Sequence, residues 1–455
     1  MKVLVKKGET LFEALRKQNI RLNASCGGKG ICGGCRVEVE KFGKVKACQF
    51  KIPGSHEVSV PKSLEFQAVG IMEDQTSFPD WKEEAGWDNS PVIAVDLGTT
   101  TVAMMGFYRG RQTLSSFTNP QRQYGADVMS RILQANSGKL KELSEVIRLE
   151  LEEKCKELAE ELEPSCRKVR VVIAGNTTML HLLFGMDCRG LGEAPFSPVT
   201  LEKEEETWSF KDRNGNSYDY SIIALPGISA FVGADIVSGI YGLSLHKRTD
   251  RTLFIDLGTN GELVLADHGV LYTASTAAGP AFEGNELAAE LFGAGIIKVL
   301  HRMKESKSID PTGMLAEEYF EKGFPVPLED GRSLRFTQEI IREIQMAKAA
   351  IRAGIEVLLK EAKLKADQVD EVILAGGMGY FVDPADAVGI GLLPEKFLQK
   401  TKAAGNTSLL GAVRYAKEEK RSADAEMKEL SKGAKDIILA DNPDFSQYYI
   451  EYMNF

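Results

Sequence analysis

Four cysteines lie close together near the start of the chain. They are Cys26, Cys32, Cys35 and Cys48, and the first three share a glycine-rich stretch. Three ligands in one loop and a fourth further along is the plant-type arrangement for a [2Fe-2S] cluster, and glycine lets such a loop bring backbone N–H groups near the sulfurs. A structural zinc site is the alternative, but zinc sites favour two C-x2-C pairs, and only one is present. The spacing predicts a [2Fe-2S] cluster on these four cysteines.

A second chemical pattern occurs twice. Residues 92–103 read VIAVDLGTTTVA and residues 253–264 read LFIDLGTNGELV, so that an apolar strand enters an Asp-Leu-Gly-Thr turn each time. Glycine lets such a turn approach a phosphate, threonine hydroxyls and N–H groups donate to its oxygens, and aspartate binds Mg²⁺ through water or orients the attacking water. One copy alone also fits a plain hairpin. Two copies, with Asp96 and Asp256 160 positions apart, predict a duplicated nucleotide-binding fold.

A small domain must hold the cysteine loop. Alternating valines predict a first strand, a helix follows, and a hairpin turned at Gly43 and a last strand near Val58 come after the first three cysteines. The stretch that follows is irregular and acidic, which indicates a linker. We expect a ferredoxin-like domain over 1–62, a linker over 63–90 and a two-lobed ATPase domain over 91–455.

Further elements must frame the paired loops. A long amphipathic helix is predicted from about Lys139 to Leu162, with Cys155 on its apolar stripe as a buried residue. A late helix carries Lys348, which either contacts adenine or is simply solvated. The tail, residues 415–455, is predicted to begin as a charged helix and to end in an aromatic, strand-like segment.

The paired loops and the double glycine after a later apolar strand resemble the sugar kinase, Hsp70 and actin superfamily. In that superfamily two Asp-Gly-Thr loops contact the nucleotide phosphates from opposite lobes, and a double glycine lies in the adenosine loop. Segments 227–235 and 405–412 resemble its two connecting helices, and the first often carries an acidic residue facing the γ-phosphate, although Asp235 also fits a helix N-cap. The catalytic residues that this implies are Asp96, Asp256 and Asp235. The ATP-binding residues that it implies are Gly98, Thr99, Thr100, Thr101, Gly258, Thr259, Asn260, Gly376 and Gly377.

Four further strings carry a closer resemblance. They are residues 119–128, 175–179, 278–284 and 442–445, and they resemble the reductive activators of corrinoid-dependent proteins, which have an N-terminal [2Fe-2S] domain. The resemblance implies an α+β, β-grasp ferredoxin-like domain followed by a two-lobed α/β actin-like ATPase domain of duplicated ribonuclease H-like lobes. Taken alone, Asn176 also fits a simple helix cap.

The resemblance implies an ATP-dependent reductive activator that uses a [2Fe-2S] cluster, ATP and Mg²⁺. It would take an electron from a low-potential donor and reduce the Co(II) corrinoid of a partner protein in a methyltransferase system to Co(I). One alternative is an activator of another metalloenzyme, such as a 2-hydroxyacyl-CoA dehydratase. Activators of that kind have a [4Fe-4S] cluster bridging two subunits and no ferredoxin domain, so the four N-terminal cysteines argue against this alternative. Another is a non-redox kinase or an actin-like assembly ATPase with a structural or sensing cluster.

Bulk composition narrows the remaining classes of protein. A chain of 455 residues is too long for one core, which agrees with several domains. Its net charge of -9 argues against a nucleic-acid partner. Because the sequence shows no secretory leader and no apolar run long enough to cross a membrane, we expect a cytoplasmic protein without a membrane partner. A homodimer is compatible with these features.

Overall fold

The computed structural model of the protein describes most of the chain. The described residues are 2–5, 9–17, 36–39, 42–51, 56–59, 90–211, 215–258, 260–277, 279–282, 286–328 and 333–455. Of the predicted linker only residue 90 falls within them. The chain divides into two compact units, residues 1–225 with 415–420 and residues 226–414 with 421–455. Among the described residues, no helix combines the length and the apolar character needed to span a membrane.

The N-terminal elements follow the predicted order of strand, helix, hairpin and strand. They are β1 (Lys2–Val5), α1 (Leu11–Lys17), β2 (Arg36–Val39), β3 (Gly43–Lys46) and β4 (His56–Ser59). β1 pairs antiparallel with β4, and β2 pairs antiparallel with β3. Gly43 has a φ of +67°, as the predicted hairpin turn requires. Apolar residues of α1, β1 and β2 form a small buried core beneath these strands.

The first unit also contains a six-stranded sheet. Its strands are β5 (Val92–Leu97), β6 (Thr101–Tyr108), β7 (Arg111–Thr118), β8 (Lys168–Gly175), β9 (Glu204–Lys211) and β10 (Ser217–Ala224). The order across the sheet is β7-β6-β5-β8-β10-β9. β5 is buried along nearly its whole length, as its unbroken apolar run predicts for a central strand with both faces covered.

The second unit contains another six-stranded sheet. Its strands are β11 (Arg251–Leu257), β12 (Gly261–Asp267), β13 (Val270–Thr276), β16 (Glu371–Ala375), β17 (Thr401–Ala403) and β18 (Lys435–Asp436). A separate hairpin joins β14 (Phe324–Pro327) to β15 (Ser333–Phe336). The order across the sheet is β17-β16-β11-β12-β13-β18.

The two sheets share one topology. In each, the first strand pairs antiparallel with the second and parallel with a strand that arrives much later, so that β5, β6 and β8 correspond to β11, β12 and β16. The next parallel strand is β10 in one sheet and β17 in the other. Both Asp-Leu-Gly-Thr turns therefore follow the first strand of a copy. The predicted duplication is confirmed.

The helices are unequal in length. Those of the first unit after α1 are α2 (Val128–Gln134), α3 (Leu140–Leu162), α4 (Thr177–Phe184) and α5 (Arg189–Gly192). Those later in the chain are α6 (Ala234–Gly242), α7 (Glu286–Glu305), α8 (Glu317–Phe320), α9 (Gln338–Glu361), α10 (Gly376–Gly379), α11 (Pro384–Gly389), α12 (Thr407–Lys417), α13 (Lys420–Gly433) and α14 (Phe445–Glu451). The predicted long helix is α3, and its apolar stripe is buried, Cys155 included.

The end of the tail differs from the prediction. Residues 445–451 form α14 rather than a strand-like segment, and α14 packs on α9. The aromatic residues that suggested a strand are spaced four apart, and the rings of Phe445 and Tyr449 lie 6.1 Å apart on one side of the helix. Tertiary packing on α9 therefore overrides the strand preference of the aromatic residues.

Candidate nucleotide-binding site

The first candidate phosphate loop connects β5 to β6. Asp96 is the second-last residue of β5 and is half-buried, and Gly98, Thr99 and Thr100 form the turn before Thr101 opens β6. A Cβ on Gly98 would lie 2.5 Å from the carbonyl oxygen of Thr101. The turn is therefore too tight for any residue but glycine at this position.

Three side chains from other parts of the first unit hold this turn. The Asn119 side-chain amide donates to the Gly98 carbonyl at 2.9 Å, and its backbone N–H donates to the Thr100 carbonyl at 2.9 Å. Arg131 Nη2 donates to the Thr99 carbonyl at 2.6 Å. The third side chain is that of Asn176, which donates to the Thr99 hydroxyl. Every backbone carbonyl of the turn is thus bonded to a group from another element.

Arg131 is completely buried behind the turn. Its other hydrogen bonds are to the Gly125 carbonyl at 3.0 Å and to the Met179 sulfur at 3.1 Å, so all its acceptors are neutral. Burial, together with the nearby positive charge of Arg122, lowers the pKa of Arg131 to about 9, while the negative charge of Asp127 opposes the shift. None of the described carboxylates is hydrogen-bonded to Arg131, so a buried positive charge lies behind the turn, which suits an anionic ligand.

Asn176 both caps a helix and contacts the turn. Its Oδ1 accepts from the Met179 backbone N–H at 2.9 Å, which caps α4, and its Nδ2 donates to Thr99 Oγ1 at 3.0 Å. The helix-cap interpretation of Asn176 is therefore correct but incomplete. A single asparagine links the end of β8 to the candidate phosphate loop.

The second candidate phosphate loop follows β11 in the same way. Asp256 is half-buried at the second-last position of the strand, and the Gly258 N–H donates to the Asn260 carbonyl at 3.0 Å across the turn. Thr259 lies outside the described residues. The turn returns the chain directly into β12.

The double glycine lies against the second loop. Gly376 has a φ of +82°, and a Cβ on it would overlap Asp256 Oδ1. Gly377 is exposed, and a Cβ there would meet no atom within 4 Å. The structure thus brings Asp256 and Gly376 into contact, and Gly377 faces open space beside them.

Glu262 is a carboxylate in this region that was not predicted. It lies directly opposite Asp256 in the β11–β12 pairing. Burial raises the pKa of Glu262 well above its usual value, and the negative charges of Asp235 and Asp256 raise it further. A glutamate at the start of an otherwise apolar strand is the sequence signal that could have identified it.

Asp235 lies near this carboxylate pair in the first turn of α6. The N-cap position belongs to Gly233, so the N-cap interpretation of Asp235 is wrong. Its Oδ1 accepts from the Ile236 N–H at 2.9 Å. The negative charges of Asp235 and Asp256 both contribute to the raised pKa of Glu262. Among the described residues, no three His, Cys, Asp or Glu side chains are arranged to hold a metal ion by themselves.

Of the two segments predicted as connecting helices, 405–412 lies largely in α12, whereas only the last two residues of 227–235 are helical, at the start of α6. The helices α6 and α12 touch backbone to backbone. Ser238 Oγ donates to the Ser408 carbonyl at 2.7 Å. A Cβ on Gly411 would overlap the Ser238 carbonyl, and one on Gly242 would lie 2.8 Å from the Gly411 nitrogen. Glycines on both helices allow this close crossing.

The cysteine loop is only partly described. Cys26, Cys32 and Cys35 lie outside the described residues. Cys48 is half-buried in a turn after β3, and that turn is joined to α1 by hydrogen bonds from the Leu11 N–H to the Phe50 carbonyl, 2.9 Å, and from the Phe12 N–H to the Ala47 carbonyl, 3.0 Å. The position of Cys48 at the core of the small domain is compatible with a cluster ligand.

Lys348 is neither solvated nor part of the loops described above. Its side chain is fully buried on α9, and Nζ donates to the Asn454 carbonyl at 2.5 Å. Nζ also lies 5.2 Å from the centre of the Phe455 ring. Burial lowers the pKa of Lys348 to about 7, and the positive charges of Arg352 and Lys304 contribute. Lys348 therefore contacts the tail.

Comparison with known families accounts for nearly the whole chain. Residues 92–248 match the family described as the RACo middle region, and residues 250–292 and 286–455 match the C-terminal domain of RACo, the ASKHA domain. The chain belongs to the RACo family. Residues 1–53, which include all four cysteines of the quartet, match a 2Fe-2S iron-sulfur cluster binding domain. In this RACo-family chain the match favours [2Fe-2S] over zinc, and the ASKHA domain supports ATP binding.

Two curated relatives and one solved structure are similar to this RACo-family chain. The corrinoid activation enzyme RamQ of Eubacterium limosum is 27% identical over 431 residues, covering 79% of this chain and 69% of the relative. The [Co(II) methylated amine-specific corrinoid protein] reductase of Methanosarcina barkeri is 25% identical over 338 residues, 62% of each chain. The structure of a reductive activator for a corrinoid, iron-sulfur protein has a TM-score of 0.67 and 24% identity, covering 99% of this chain and 96% of that one.

These matches confirm the predicted fold, a ferredoxin-like domain followed by a duplicated actin-like domain. This RACo-family chain spans about two thirds of the length of the curated relatives. The domain limits at residues 62 and 90 stay predictions.

Proposed function

We propose that this protein is an ATP-dependent reductive activator of a corrinoid protein. It would accept one electron from a low-potential donor on a [2Fe-2S] cluster and pass it to the Co(II) corrinoid of a partner methyl-transfer protein, which becomes Co(I). The observation that carries the proposal is the union, in one RACo-family chain, of a 2Fe-2S domain and an ASKHA domain. The printed names of the two relatives, a corrinoid activation enzyme and a corrinoid protein reductase, support the same substrate class.

ATP can drive an uphill electron transfer only through a difference in affinity. A nucleotide that binds two conformations of the activator unequally shifts their populations, and one that binds both equally shifts nothing. We propose that ATP binding favours the conformation competent for transfer and that hydrolysis resets it. The duplicated fold, with one candidate phosphate loop in each sheet, supplies the two lobes for such a change.

We assign the phosphate contacts to the two loops. Gly98, Thr99, Thr100 and Thr101 would serve the first, and Gly258, Thr259 and Asn260 the second. Gly376 and Gly377 would lie beside the adenosine. The close packing of Gly98 and the open space in front of Gly377 support these roles.

We assign Asp96, Asp256 and Asp235 to Mg²⁺ and to the attacking water. Mg²⁺ usually keeps several waters and is held by one or two carboxylates together with substrate phosphates. That preference fits the described residues, which offer carboxylates at the loops but no complete protein cage. Cys26, Cys32, Cys35 and Cys48 would hold the cluster.

A reduction assay tests the proposal. The anaerobically purified, reduced protein is mixed with a Co(II) corrinoid protein from a methyltransferase system, and the Co(I) absorption band is followed with and without ATP. We expect Co(I) to form only with ATP. The Cys48→Ser variant should lose cluster absorption and all reduction, whereas Cys166→Ser should retain both because serine can keep the hydrogen bond from Cys166 to the Lys168 carbonyl.

Three results would contradict the proposal. Equal Co(I) formation with and without ATP would remove the coupling. A colourless protein that binds zinc, or one that transfers phosphate to a small substrate without reducing cobalt, would favour a non-redox ATPase instead.

A further inference from the structure

The orientation of the Asn176 amide is fixed by its neighbours. The Met179 backbone N–H is only a donor, so the side-chain atom facing it at 2.9 Å must be the oxygen, Oδ1. The amide nitrogen therefore faces Thr99 Oγ1 at 3.0 Å. Turning the amide over would oppose two donors at Met179 and lose the helix cap.

The fixed amide determines what Thr99 can offer. Because Asn176 donates to Oγ1, one lone pair of the Thr99 hydroxyl is occupied and its own hydrogen is left to donate. Within the described residues no acceptor receives that hydrogen. The Thr99 carbonyl is held separately by Arg131 at 2.6 Å, so the backbone of the residue is fixed as well.

The Thr99 side chain also has little room to turn away. Thr99 is 9% exposed, so only a small part of its surface faces outward. Its neighbours in the turn are bound through their carbonyls to Asn119. A hydroxyl that is locked in place and points its hydrogen outward suits a ligand atom that only accepts, such as a phosphate oxygen.

We infer that Asn176 is a positioning residue that orients the Thr99 hydroxyl as a donor to a phosphate oxygen of the bound nucleotide. This inference rests on the proposed binding of ATP and deepens it. The inference gives residues 175–179, one of the segments that carry the family resemblance, a role in ligand selection. The hydrogen bond from Asn176 to Thr99 favours ligands that contain phosphate groups and has no effect on binding of the base. Preorganised donors of this kind cost little reorganisation when the anion arrives.

A double-mutant cycle on Asn176 and Thr99 tests the inference. In Asn176→Ser the serine oxygen keeps the cap to Met179 but is too short to reach Thr99. In Thr99→Val the hydroxyl is removed at nearly constant shape. Affinities for ATP, ADP and adenosine are measured by calorimetry on the full-length, cluster-loaded protein and on the two single variants and the double variant.

We expect each single variant to lose about three- to tenfold in ATP and ADP affinity, the worth of one hydrogen bond. The double variant should bind ATP no more weakly than Thr99→Val, because Asn176 acts through Thr99. Adenosine affinity should not change. As a matched control, Ser144→Ala removes the 2.8 Å hydrogen bond from Ser144 to the Leu183 carbonyl, at the other end of α4, and should leave all three affinities unchanged.

Three results would overturn the inference. Wild-type ATP affinity in Asn176→Ser would remove the role of Asn176. Fully additive losses in the double variant, or an equal loss of adenosine affinity, would mean that Asn176 only supports the fold. If the wild-type protein binds adenosine but neither ATP nor ADP, the proposed nucleotide function itself fails, and that result is recognisable before any variant is compared.

Discussion

Replacing Lys348 by methionine should change how the stability of the tail depends on pH. Lys348 is fully buried, and its ammonium group donates to the Asn454 carbonyl and lies over the face of the Phe455 ring. Its pKa is about 7 in the folded protein, against an ordinary value of 10.5. The unfolded protein therefore binds more protons at this position whenever the pH lies between those values.

The sign and the size of the effect follow from that difference. Because the folded pKa is lowered, the contribution of Lys348 is least favourable below pH 7 and becomes more favourable as the pH rises toward 10.5. The free energy of opening should rise by up to about 1.4 kcal/mol for each pH unit within this window. Between pH 7 and pH 9, the wild type should gain about 2.3 kcal/mol relative to Lys348→Met, because half of the Lys348 side chains in the folded protein are already deprotonated at pH 7.

Hydrogen exchange of residues 445–455 is the assay. Comparing wild type and Lys348→Met at the same pH cancels the intrinsic exchange rate, because the tail sequences are identical. The ratio of their protection factors should rise about fiftyfold over the two pH units. Lys360→Met is the matched control: Lys360 lies on the same helix and pairs with Asp444 at 2.7 Å, and its pKa is raised, so its charge does not change in this window. A protection ratio for Lys348→Met that stays constant with pH would refute the reasoning.

Two glycine substitutions test the packing around the site. Gly376→Ala should lower the midpoint temperature of the first unfolding transition and weaken ATP binding. Alanine at positive φ costs about 1–2 kcal/mol, and its methyl group would displace the Asp256 carboxylate. Gly377→Ala is the control: its methyl group would meet open space, so the midpoint temperature should not change. Gly411→Ala should cost about 1–3 kcal/mol in calorimetric unfolding by forcing α12 away from the Ser238 carbonyl, whereas Gly433→Ala, with no neighbour within 4 Å, should not be destabilising. Equal effects within either pair would contradict the packing described above.

The strands and long helices could be predicted because their signals are local. β5 and β11 are continuous apolar runs, and α3 repeats its apolar residues with the helical period. The duplication was visible because both copies keep the Asp-Leu-Gly-Thr turn. Segments with such patterns can be recognised without knowledge of their neighbours.

Contacts between distant residues could not be predicted in this way. Asn119, Arg131 and Asn176 converge on one turn from separate elements, although nothing in their spacing indicates a common target. The sequence predicted that Lys348 is solvated or contacts adenine. Its burial could not be predicted because it depends on contact with a tail more than a hundred residues later. Glu262 was missed because its altered pKa arises from burial and from two carboxylates on other elements, neither of which is visible in the local sequence.

The contact between Gly376 and Asp256 has a consequence for nucleotide choice. β11 and β16 are hydrogen-bonded neighbours, and Asp256 lies beside Ala375 where each strand ends. Asp256, assigned to the phosphate end of the nucleotide, and Gly376, assigned to the adenosine end, are therefore held at a fixed separation by paired strands. A ligand with the right phosphates and a poorly fitting base cannot shift at one end without disturbing the other. Discrimination among nucleotides should then be cooperative, with the penalty for two mismatches differing from the sum of the separate penalties.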